Sequence, residues 1–222
     1  MYARSGEVVH YMKQPLLVFD LDGTLIDSRA DLAAAVQVVR EHYQLAPLSL
    51  EEVSSYIGGG MHNLVTLSLQ GYDVDIEEAV SIFRTYYTTH DCTHTTPYPG
   101  VCEGLELLKN NGFECAVLTN KPGELSRKIL SKLKMASFFA EVVGGGDGYA
   151  LKPDPGGLQA LISRFNSTRD QVWMIGDHHP DIAVGQAAGV ATGWVSYGIG
   201  GTGDLKPTKH FASFSEVVGY FL

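Results

Sequence analysis

Short runs of consecutive apolar residues recur along the chain and alternate with stretches of helical periodicity. Four runs are typical of strands buried on both faces, and a fifth is shorter. They are Leu16–Phe19, 115–118, 172–175, Ala191–Val195 and, as the shorter candidate, 141–143. The helical stretches between them are Val101–Asn110, 124–134, 155–165 and 181–188. Because alternating strands and helices build a parallel sheet with right-handed crossovers, the pattern predicts an α/β fold with a doubly wound, Rossmann-like core.

One region breaks the alternation, because residues 28–95 show only helical patterns, at 28–43, 49–57, 61–70 and 75–90. Ser28, with Asp31 three residues later, is typical of a helix N-cap followed by an acidic first turn. We therefore expect a small α-helical cap inserted after the first strand. The division predicted is an α/β core of residues 14–27 and 96–222, a cap of residues 28–95 and a loose N-terminal extension of residues 1–13.

Composition narrows the classes of partner. Of the 222 residues, 45% are hydrophobic and 18% are charged, which is ordinary for a globular protein. The net charge of −9 disfavours general attraction to nucleic acid or to an anionic membrane. There is no apolar run long enough to span a bilayer and no apolar leader segment, and the three cysteines have no CxxC spacing. We expect a cytoplasmic monomer or homodimer that acts on a small molecule.

Polar residues follow the predicted strands at the sheet edge where parallel α/β folds bind ligands. They are Asp20, Asp22, Gly23 and Thr24 after the first strand, Thr119 and Asn120 after the second, Lys152 before the helix at 155–165, and Asp177 followed by Asp181. Because clustered carboxylates repel one another, the set favours a hard divalent cation, above all Mg²⁺. A single lysine, Lys152, supplies the counter-charge for a nucleophilic carboxylate and a phosphoryl group. These side chains are sufficient for phosphoryl transfer.

Four motifs make the chain similar to the haloacid dehalogenase-like superfamily. They are DLDGTLID at 20–27, LTN at 118–120, KPDP at 152–155 and GDHHPD at 176–181. They occur in the order found in that superfamily, and the resemblance extends from about residue 15 to the C-terminus. It implies hydrolysis of a phosphate ester through a covalent aspartyl-phosphate, with Mg²⁺ as cofactor.

The resemblance also implies a role for each motif residue. Asp20 would be the nucleophile, and Asp22 would act first as general acid and then as general base. The phosphate would be bound by Thr119, Asn120, Gly23 and Thr24, with its charge balanced by Lys152. Mg²⁺ would be held by Asp20, Asp177 and the backbone carbonyl of Asp22, while Asp181 would orient Lys152 or a metal-bound water.

The cap segment most resembles that of the phosphoglycolate phosphatases. Its glycine run 58–60 leads into a helix start, where free backbone N–H groups can bind an anion. Gly59, Gly60 and His62 are therefore candidate substrate contacts, and the resemblance implies 2-phosphoglycolate as the favoured substrate.

Several alternatives stay open at this point. A sugar-phosphate phosphatase or a β-phosphoglucomutase-like phosphoryl transferase would share every core residue. Phosphonoacetaldehyde hydrolase chemistry is set aside because residues 29–95 contain no lysine for a Schiff base. From a different class, a phospho-accepting module would lack a helical cap after its first strand and would carry its acceptor aspartate elsewhere. A phosphate-binding module would have no need of the carboxylate of Asp22.

Other residues have plainer interpretations. His178 and His179 depart from the family pattern and are expected to be hydrogen-bonded neighbours of the site. The GxGxxG run 198–203 is expected to be a flexible loop, because no long helix follows it. The arginines of the cap, Arg29, Arg40 and Arg84, are expected to be solvated.

Overall fold

The structure is a computed structural model that describes residues 14–222. The predicted N-terminal extension, 1–13, lies outside the described residues. The strands are β1 (Leu16–Phe19), β2 (Ile26–Asp27), β3 (Thr96–Pro97), β4 (Glu114–Pro122), β5 (Glu141–Gly145), β6 (Val172–Gly176), β7 (Ala191–Val195) and β8 (Lys209–Phe211). The helices are α1 (Arg29–His42), α2 (Leu50–Ser55), α3 (Met61–Ser68), α4 (Ile76–His90), α5 (Val101–Asn110), α6 (Gly123–Lys132), α7 (Gly156–Arg164), α8 (His179–Ala188) and α9 (Phe214–Phe221).

Across residues 14–222, six strands form a parallel sheet in the order β5-β4-β1-β6-β7-β8. The most apolar strand, β1, lies between β4 and β6, with Val18 in register with Ala116 and Met174. A central parallel strand is covered on both faces, which explains why β1 is a continuous apolar run. The predicted α/β, doubly wound fold class is confirmed.

Helices cover both faces of the sheet because successive strand residues point in opposite directions. Leu17 and Phe19 of β1 belong to the hydrophobic cluster that also contains residues of α5, α6 and α9. Leu16 and Val18 belong to a second cluster, which contains residues of α7 and α8. The first cluster continues into the cap, where Val36 and Phe83 are fully buried. The cap and one face of the sheet therefore share a continuous apolar core.

The cap helices α1–α4 lie between β2 and β3, which pair antiparallel through Ile26 with Pro97 and Asp27 with Thr96. This small ribbon holds the entry to the cap beside its exit. Asp31 strengthens the junction, because its carboxylate accepts hydrogen bonds from the backbone N–H groups of His94 and Thr95 at 2.8–3.0 Å.

The start of the cap agrees with the prediction, whereas one of the cap arginines does not. Ser28 stands at the N-cap position of α1 with Asp31 in the first turn, although its hydroxyl donates to Asp22 Oδ1 at 2.6 Å and makes no capping bond. Arg40 is buried, since its guanidinium donates to the carbonyls of Ala46 and Ser68 where the end of α1 meets α3. Buried polar groups nearby need hydrogen-bond partners, and this need determines where both side chains point. Of the other two arginines, Arg84 is exposed as expected and Arg29 pairs with Asp27.

Several elements of the chain were not predicted. They are the ribbon strands β2 and β3, the edge strand β8 and the C-terminal helix α9. No helix in the described part of the chain combines the length and apolarity that crossing a bilayer requires.

Candidate active site

The carboxyl ends of β1, β4 and β6 bring the predicted core residues together. Asp20 follows β1 directly, Thr119 lies in β4 and Asp177 follows β6. All three side chains are almost fully buried. The register of the parallel strands, with Phe19 opposite Val117 and Ile175, places these positions side by side. The gathering of these residues therefore follows from the order of the strands.

Lys152 reaches this edge from the loop before α7 and is held by three acceptors. Its Nζ donates to Asp20 Oδ1 at 2.7 Å, to Asp181 Oδ1 at 2.6 Å and to the carbonyl of Leu118 at 2.9 Å. Burial alone would lower the pKa of Lys152, but the charges of Asp181 and Asp20 outweigh it and raise that pKa. The lysine is therefore a fixed positive charge beside Asp20.

Three buried carboxylates, Asp20, Asp177 and Asp181, offer oxygen atoms that all lie within 4.8 Å of one another. Burial raises the pKa of Asp20 to about 6, against the opposing charge of Lys152. Burial and the neighbouring Asp20 likewise raise the pKa of Asp177. One lysine cannot balance three carboxylates, and hard oxygen donors of this kind suit Mg²⁺. The donor set therefore fits the divalent cation that the sequence predicted.

The orientation of Asp177 is fixed by the glycine-rich run 198–203. Its Oδ2 accepts hydrogen bonds from the backbone N–H groups of Ile199 and Gly200 at 2.8 and 2.9 Å, and its Oδ1 accepts from the Thr24 hydroxyl at 3.1 Å. A Cβ at Gly198 would lie 2.3 Å from the Cβ of Asp177. The run is a loop, as predicted, and the approach of its backbone amides to a carboxylate explains the glycines at its start.

The Thr24 side chain therefore points towards Asp177, and the backbone turn at Gly23 also passes close to that carboxylate. Gly23 has a φ of +86°, and a Cβ on it would lie 2.4 Å from Asp177 Oδ2. Only glycine allows the backbone after β1 to pass so close to that carboxylate. Asp181 is held through both of its oxygens, because Oδ1 accepts from Lys152 Nζ at 2.6 Å and Oδ2 accepts from the backbone N–H of His178 at 2.9 Å.

Lys121 is a residue of the site that the sequence reasoning missed. Its side chain is buried, and its Nζ donates to both carboxylate oxygens of Asp22 at 3.1 Å and to the Tyr87 hydroxyl at 2.8 Å. Burial would lower the pKa of Lys121, but the charge of Asp22 outweighs it and raises that pKa. The signal available in the sequence was a lysine inside an apolar strand, directly after the Thr119-Asn120 pair.

The cap touches the core through its glycine run. The Asn120 side chain donates to the carbonyl of Gly58 at 2.9 Å and to that of Lys152 at 3.1 Å, and it accepts from the Lys152 N–H at 2.7 Å. Gly60, with a φ of +86°, leaves only 3.2 Å between a hypothetical Cβ and the Asn120 carbonyl. The side chain of Asn120 thus links the cap loop to the loop that carries Lys152.

Not every predicted cap contact lies at the site. His62 is largely exposed, and its Nε2 lies 3.2 Å from Glu77 Oε1 on the cap surface. Gly59 faces the Asn63 side chain, which a Cβ would meet at 2.4 Å. Neither residue lines the cavity described below. The helix periodicity of α3 turns His62 away from the core.

The two histidines after Asp177 differ in position. His178 lies between the cap and the core, so that a Cβ on Gly58 or Gly200 would come within 2.9 or 2.1 Å of its Nδ1. His179 is exposed. The glycine run of the cap therefore rests on His178 as well as on Asn120.

A cavity of about 40 Å³ lies between the cap and the carboxyl edge of the sheet. Asp20, Asp22, Thr119, Asn120 and Lys121 form its core side. Its cap side is mainly apolar and is formed by Leu32, Ile57, Met61, Leu64, Phe83 and Tyr87, with the backbone of Gly58 and Gly60. The cavity is therefore small, with a polar core side and a mainly apolar cap side.

A parallel, Rossmann-like core with a buried carboxylate cluster, a buried lysine and a helical cap over the same sheet edge defines the class of the protein as a capped Rossmann-like enzyme. Residues 17–195 match the family model of the haloacid dehalogenase-like hydrolases. The chain belongs to this family, and the predicted resemblance is confirmed.

Relatives of similar length support the assignment. The chain is 37% identical over 223 residues to a phosphoglycolate phosphatase of Psychrobacter arcticus, covering 95% of this chain and 97% of the relative. It is 36% identical over 183 residues to a phosphoglycolate phosphatase of Aquifex aeolicus, covering 82% and 85%. A crystal structure described as a predicted phosphoglycolate phosphatase from Haemophilus somnus superposes with a TM-score of 0.90 at 28% identity, covering 96% and 100%.

Proposed function

We propose that this hydrolase is a Mg²⁺-dependent phosphomonoesterase that works through an aspartyl-phosphate, with 2-phosphoglycolate as the favoured substrate. The observation that carries the proposal is the set of contacts around Asp20. Lys152 Nζ donates to one oxygen of Asp20. Carboxylate oxygens of Asp177 and Asp181 lie within 4.8 Å of an oxygen of Asp20, and Thr119 borders the same cavity. A buried carboxylate with fixed charges around it is suited to attack a phosphoryl group.

Each residue has a role in the proposed reaction. Asp20 attacks phosphorus and forms the acyl-phosphate bond, while the ester oxygen leaves as an alkoxide. Asp22 borders the cavity and protonates that oxygen. Asp22 then accepts a proton from a water that attacks phosphorus, which breaks the bond to Asp20 and releases phosphate. Thr119 and the backbone N–H of Asn120 bind phosphoryl oxygens, and Lys152 balances the charge between Asp20 and the phosphoryl group.

Mg²⁺, when bound, neutralises charge on the phosphate, and Asp20, Asp177 and the backbone carbonyl of Asp22 would hold it. The protein orients the side chains around Asp20. The carboxylate of Asp177 accepts from the backbone N–H groups of Ile199 and Gly200, and Asp181 accepts from Lys152 Nζ. These contacts fix the donors in place before substrate binds.

The cavity and the relatives support this choice of substrate. Relatives named phosphoglycolate phosphatase are similar to the chain over 82–95% of its length. The cap wall offers apolar side chains and one tyrosine hydroxyl, whereas a sugar needs several hydrogen-bonding groups to be recognised. The sugar-phosphate and phosphoglucomutase-like alternatives therefore fit less well than a small carboxylated ester. A phosphate-binding module would not need Asp22, and the chain belongs to a hydrolase family.

Asp20→Asn tests the proposal directly. Because an amide is a poor nucleophile, we expect phosphate release from 2-phosphoglycolate with Mg²⁺ to fall by more than about a thousandfold. Phosphate release is measured for 2-phosphoglycolate, ethyl phosphate, glucose 6-phosphate and pyrophosphate, with Mg²⁺ and with EDTA.

The exposed Asp73 provides a control of identical chemistry, Asp73→Asn, which should retain full activity. Near-normal turnover by Asp20→Asn would contradict the nucleophile assignment. A preference of the native protein for glucose 6-phosphate would contradict the substrate assignment and leave the reaction class standing.

A further inference from the structure

The cavity has a single side-chain cation on its wall among the residues that the structure describes. This cation is Lys121, whereas Lys152 lies below the cavity, where it is bonded to Asp20 and Asp181. We propose that Lys121 binds the carboxylate of the substrate and so selects small phosphate esters that carry a carboxylate next to the ester carbon. The inference rests on the proposed function and names the group that makes the site specific for such esters.

Charge is the first argument. A phosphorylated hydroxy acid brings a phosphate and a carboxylate to a cavity that is already bordered by Asp20 and Asp22. Lys152 and the carboxylate cluster face the phosphate end. At the other end, the substrate carboxylate would meet Asp22 and apolar side chains, and burying a charge without a partner is costly. Lys121 is the group that can compensate it.

Reach is the second argument. In 2-phosphoglycolate, the carboxylate is bonded to the carbon that carries the ester oxygen. Asp22 is the residue proposed to protonate that oxygen, and Lys121 Nζ lies 3.1 Å from both of its carboxylate oxygens. A cation in contact with Asp22 is therefore placed for a group next to the ester carbon.

The surroundings allow Lys121 to exchange partners. Its ammonium has three donors, which now serve the two oxygens of Asp22 and the Tyr87 hydroxyl. Asp22 has a second anchor, because the Ser28 hydroxyl donates to its Oδ1 at 2.6 Å. If Lys121 turns one donor to the substrate, Asp22 stays in place and Tyr87 keeps the ammonium oriented.

Tyr87 also connects this contact to the cap. It lies on α4 and is fully buried, and Lys121 lies on β4 of the core. The carboxylate subsite is thus formed by a core cation oriented by a cap hydroxyl, so that it is complete only when the cap rests on the core. Recognition of the carboxylate and closure of the cap would be linked.

The test separates binding from turnover with two non-hydrolysable ligands. 3-Phosphonopropionate has the shape and charges of 2-phosphoglycolate, and propylphosphonate lacks the carboxylate. Their Kd values are measured by calorimetry with Mg²⁺ for the native protein, Lys121→Met and Lys121→Arg. The exposed Lys109 gives the matched control, Lys109→Met. Circular dichroism and Tm establish that each variant is folded.

We expect the native protein to prefer 3-phosphonopropionate, and Lys121→Met to weaken its binding by about 100-fold while propylphosphonate changes by less than about threefold. Lys121→Arg keeps the charge and should retain part of the preference, and Lys109→Met should retain all of it. An equal loss for both ligands in Lys121→Met would overturn the inference, because Lys121 would then act only by positioning Asp22. An unchanged preference would overturn it as well.

Phosphate release by the same proteins distinguishes the two proposals. If 2-phosphoglycolate is hydrolysed and the preference for the carboxylated phosphonate does not depend on Lys121, the proposed function stands and this inference fails. If the preference depends on Lys121 and no ester is hydrolysed, the carboxylate site stands and the proposed function fails.

Discussion

Buried aspartates divide into two groups according to the partners that hold them. Asp20, Asp177 and Asp181 lie against one another, and Lys152 pairs with Asp20 and Asp181 only, so the charges of the three are only partly balanced. Asp31 and Asp91 lie at the end of the cap, and each has partners of its own. Because a buried charge without compensation is unstable, the first arrangement indicates a binding site and the second a structural contact.

At the level of single residues, Asp91 is expected to fasten the end of the cap to the core. It follows α4, is fully buried, and pairs with Lys132 and, at 3.1 Å, with Lys128 on α6. Lys128 and Lys132 are partly exposed, so the contact is worth less than a fully buried pair. We expect Asp91→Asn to lower the free energy of unfolding by about 1–2 kcal/mol at pH 7, measured by urea denaturation.

The pH dependence of that loss has a definite sign. Burial raises the pKa of Asp91, but the contacts with Lys132 and Lys128 outweigh it and bring the pKa below its ordinary value. The contribution of the carboxylate is therefore complete above its unfolded pKa of about 3.9 and is lost as the pH falls below that value. The difference between the native protein and Asp91→Asn should shrink below about pH 4, whereas the exposed Asp73→Asn should show little difference at any pH.

Among the elements, the loop between α2 and α3 controls how the cap meets the core. Gly58 accepts from Asn120, and Gly60 lies against the Asn120 backbone and Leu151. Gly60 adopts a φ of +86° with a ψ of 171°, a conformation that is open almost only to glycine. The loop can therefore lie flat on the core only with glycine at this position.

Gly60→Ala tests that contact against a matched change elsewhere in the cap. Gly71 also has a positive φ, +89°, but a Cβ there would meet nothing within 4 Å. Both alanines should lower stability by about 1–3 kcal/mol through backbone strain. Gly60→Ala should in addition lower kcat/KM for 2-phosphoglycolate by about tenfold or more, because the cap no longer reaches its closed position.

Steady-state kinetics and thermal denaturation of the two variants separate strain from closure. An unchanged kcat/KM in Gly60→Ala would show that activity does not depend on the contact between this loop and the core. An equal kinetic loss in Gly71→Ala would assign the effect to lost stability.

The elements that could be predicted are those whose own sequence determines them. The buried run of β1 and the amphipathic helices follow from local periodicity, and the motif residues follow the strand ends. The ribbon strand β2 is only Ile26–Asp27, and its pairing with β3 depends on residues about 70 positions away in the sequence. Lys121 was missed for a related reason, because its partners Asp22 and Tyr87 come from other elements. His62 was placed wrongly because a motif gives position in the chain and not the direction of a side chain.

At the scale of the whole molecule, the site lies where two packed units meet. The larger hydrophobic cluster extends from the sheet face at Phe19 into the cap at Phe83, and the cavity lies at this junction. A ligand bound to the folded state only, in contact with both units, stabilises the entire fold by mass action. Binding at the carboxylate cluster should thus be visible in the unfolding of the complete chain.

Mg²⁺ should therefore raise Tm, and the rise should depend on pH. The pKa of Asp20 is raised by burial to about 6, so between about pH 4 and pH 6 the folded state holds a proton that the unfolded state has released. Without metal, stability consequently falls as the pH rises through this range. Mg²⁺ requires the ionised carboxylate, so it competes with the proton and stabilises most above pH 6. At about 100 times its Kd, we expect a rise in Tm of about 5–10 °C at pH 8 and a much smaller one at pH 5.

Differential scanning calorimetry with Mg²⁺ and with EDTA measures both values, and two isosteric variants locate the effect. Asp177→Asn removes a carboxylate from the cluster and should abolish most of the rise at pH 8, whereas the exposed Asp73→Asn should leave it intact. The same rise in Asp177→Asn, or at pH 5, would mean that Mg²⁺ acts on the surface charge of this acidic chain. A rise confined to proteins with all three cluster aspartates, and to pH values above 6, would mean that the buried carboxylates hold the ion. The cost of gathering these carboxylates in the folded state would then be offset by the cation that the proposed reaction requires.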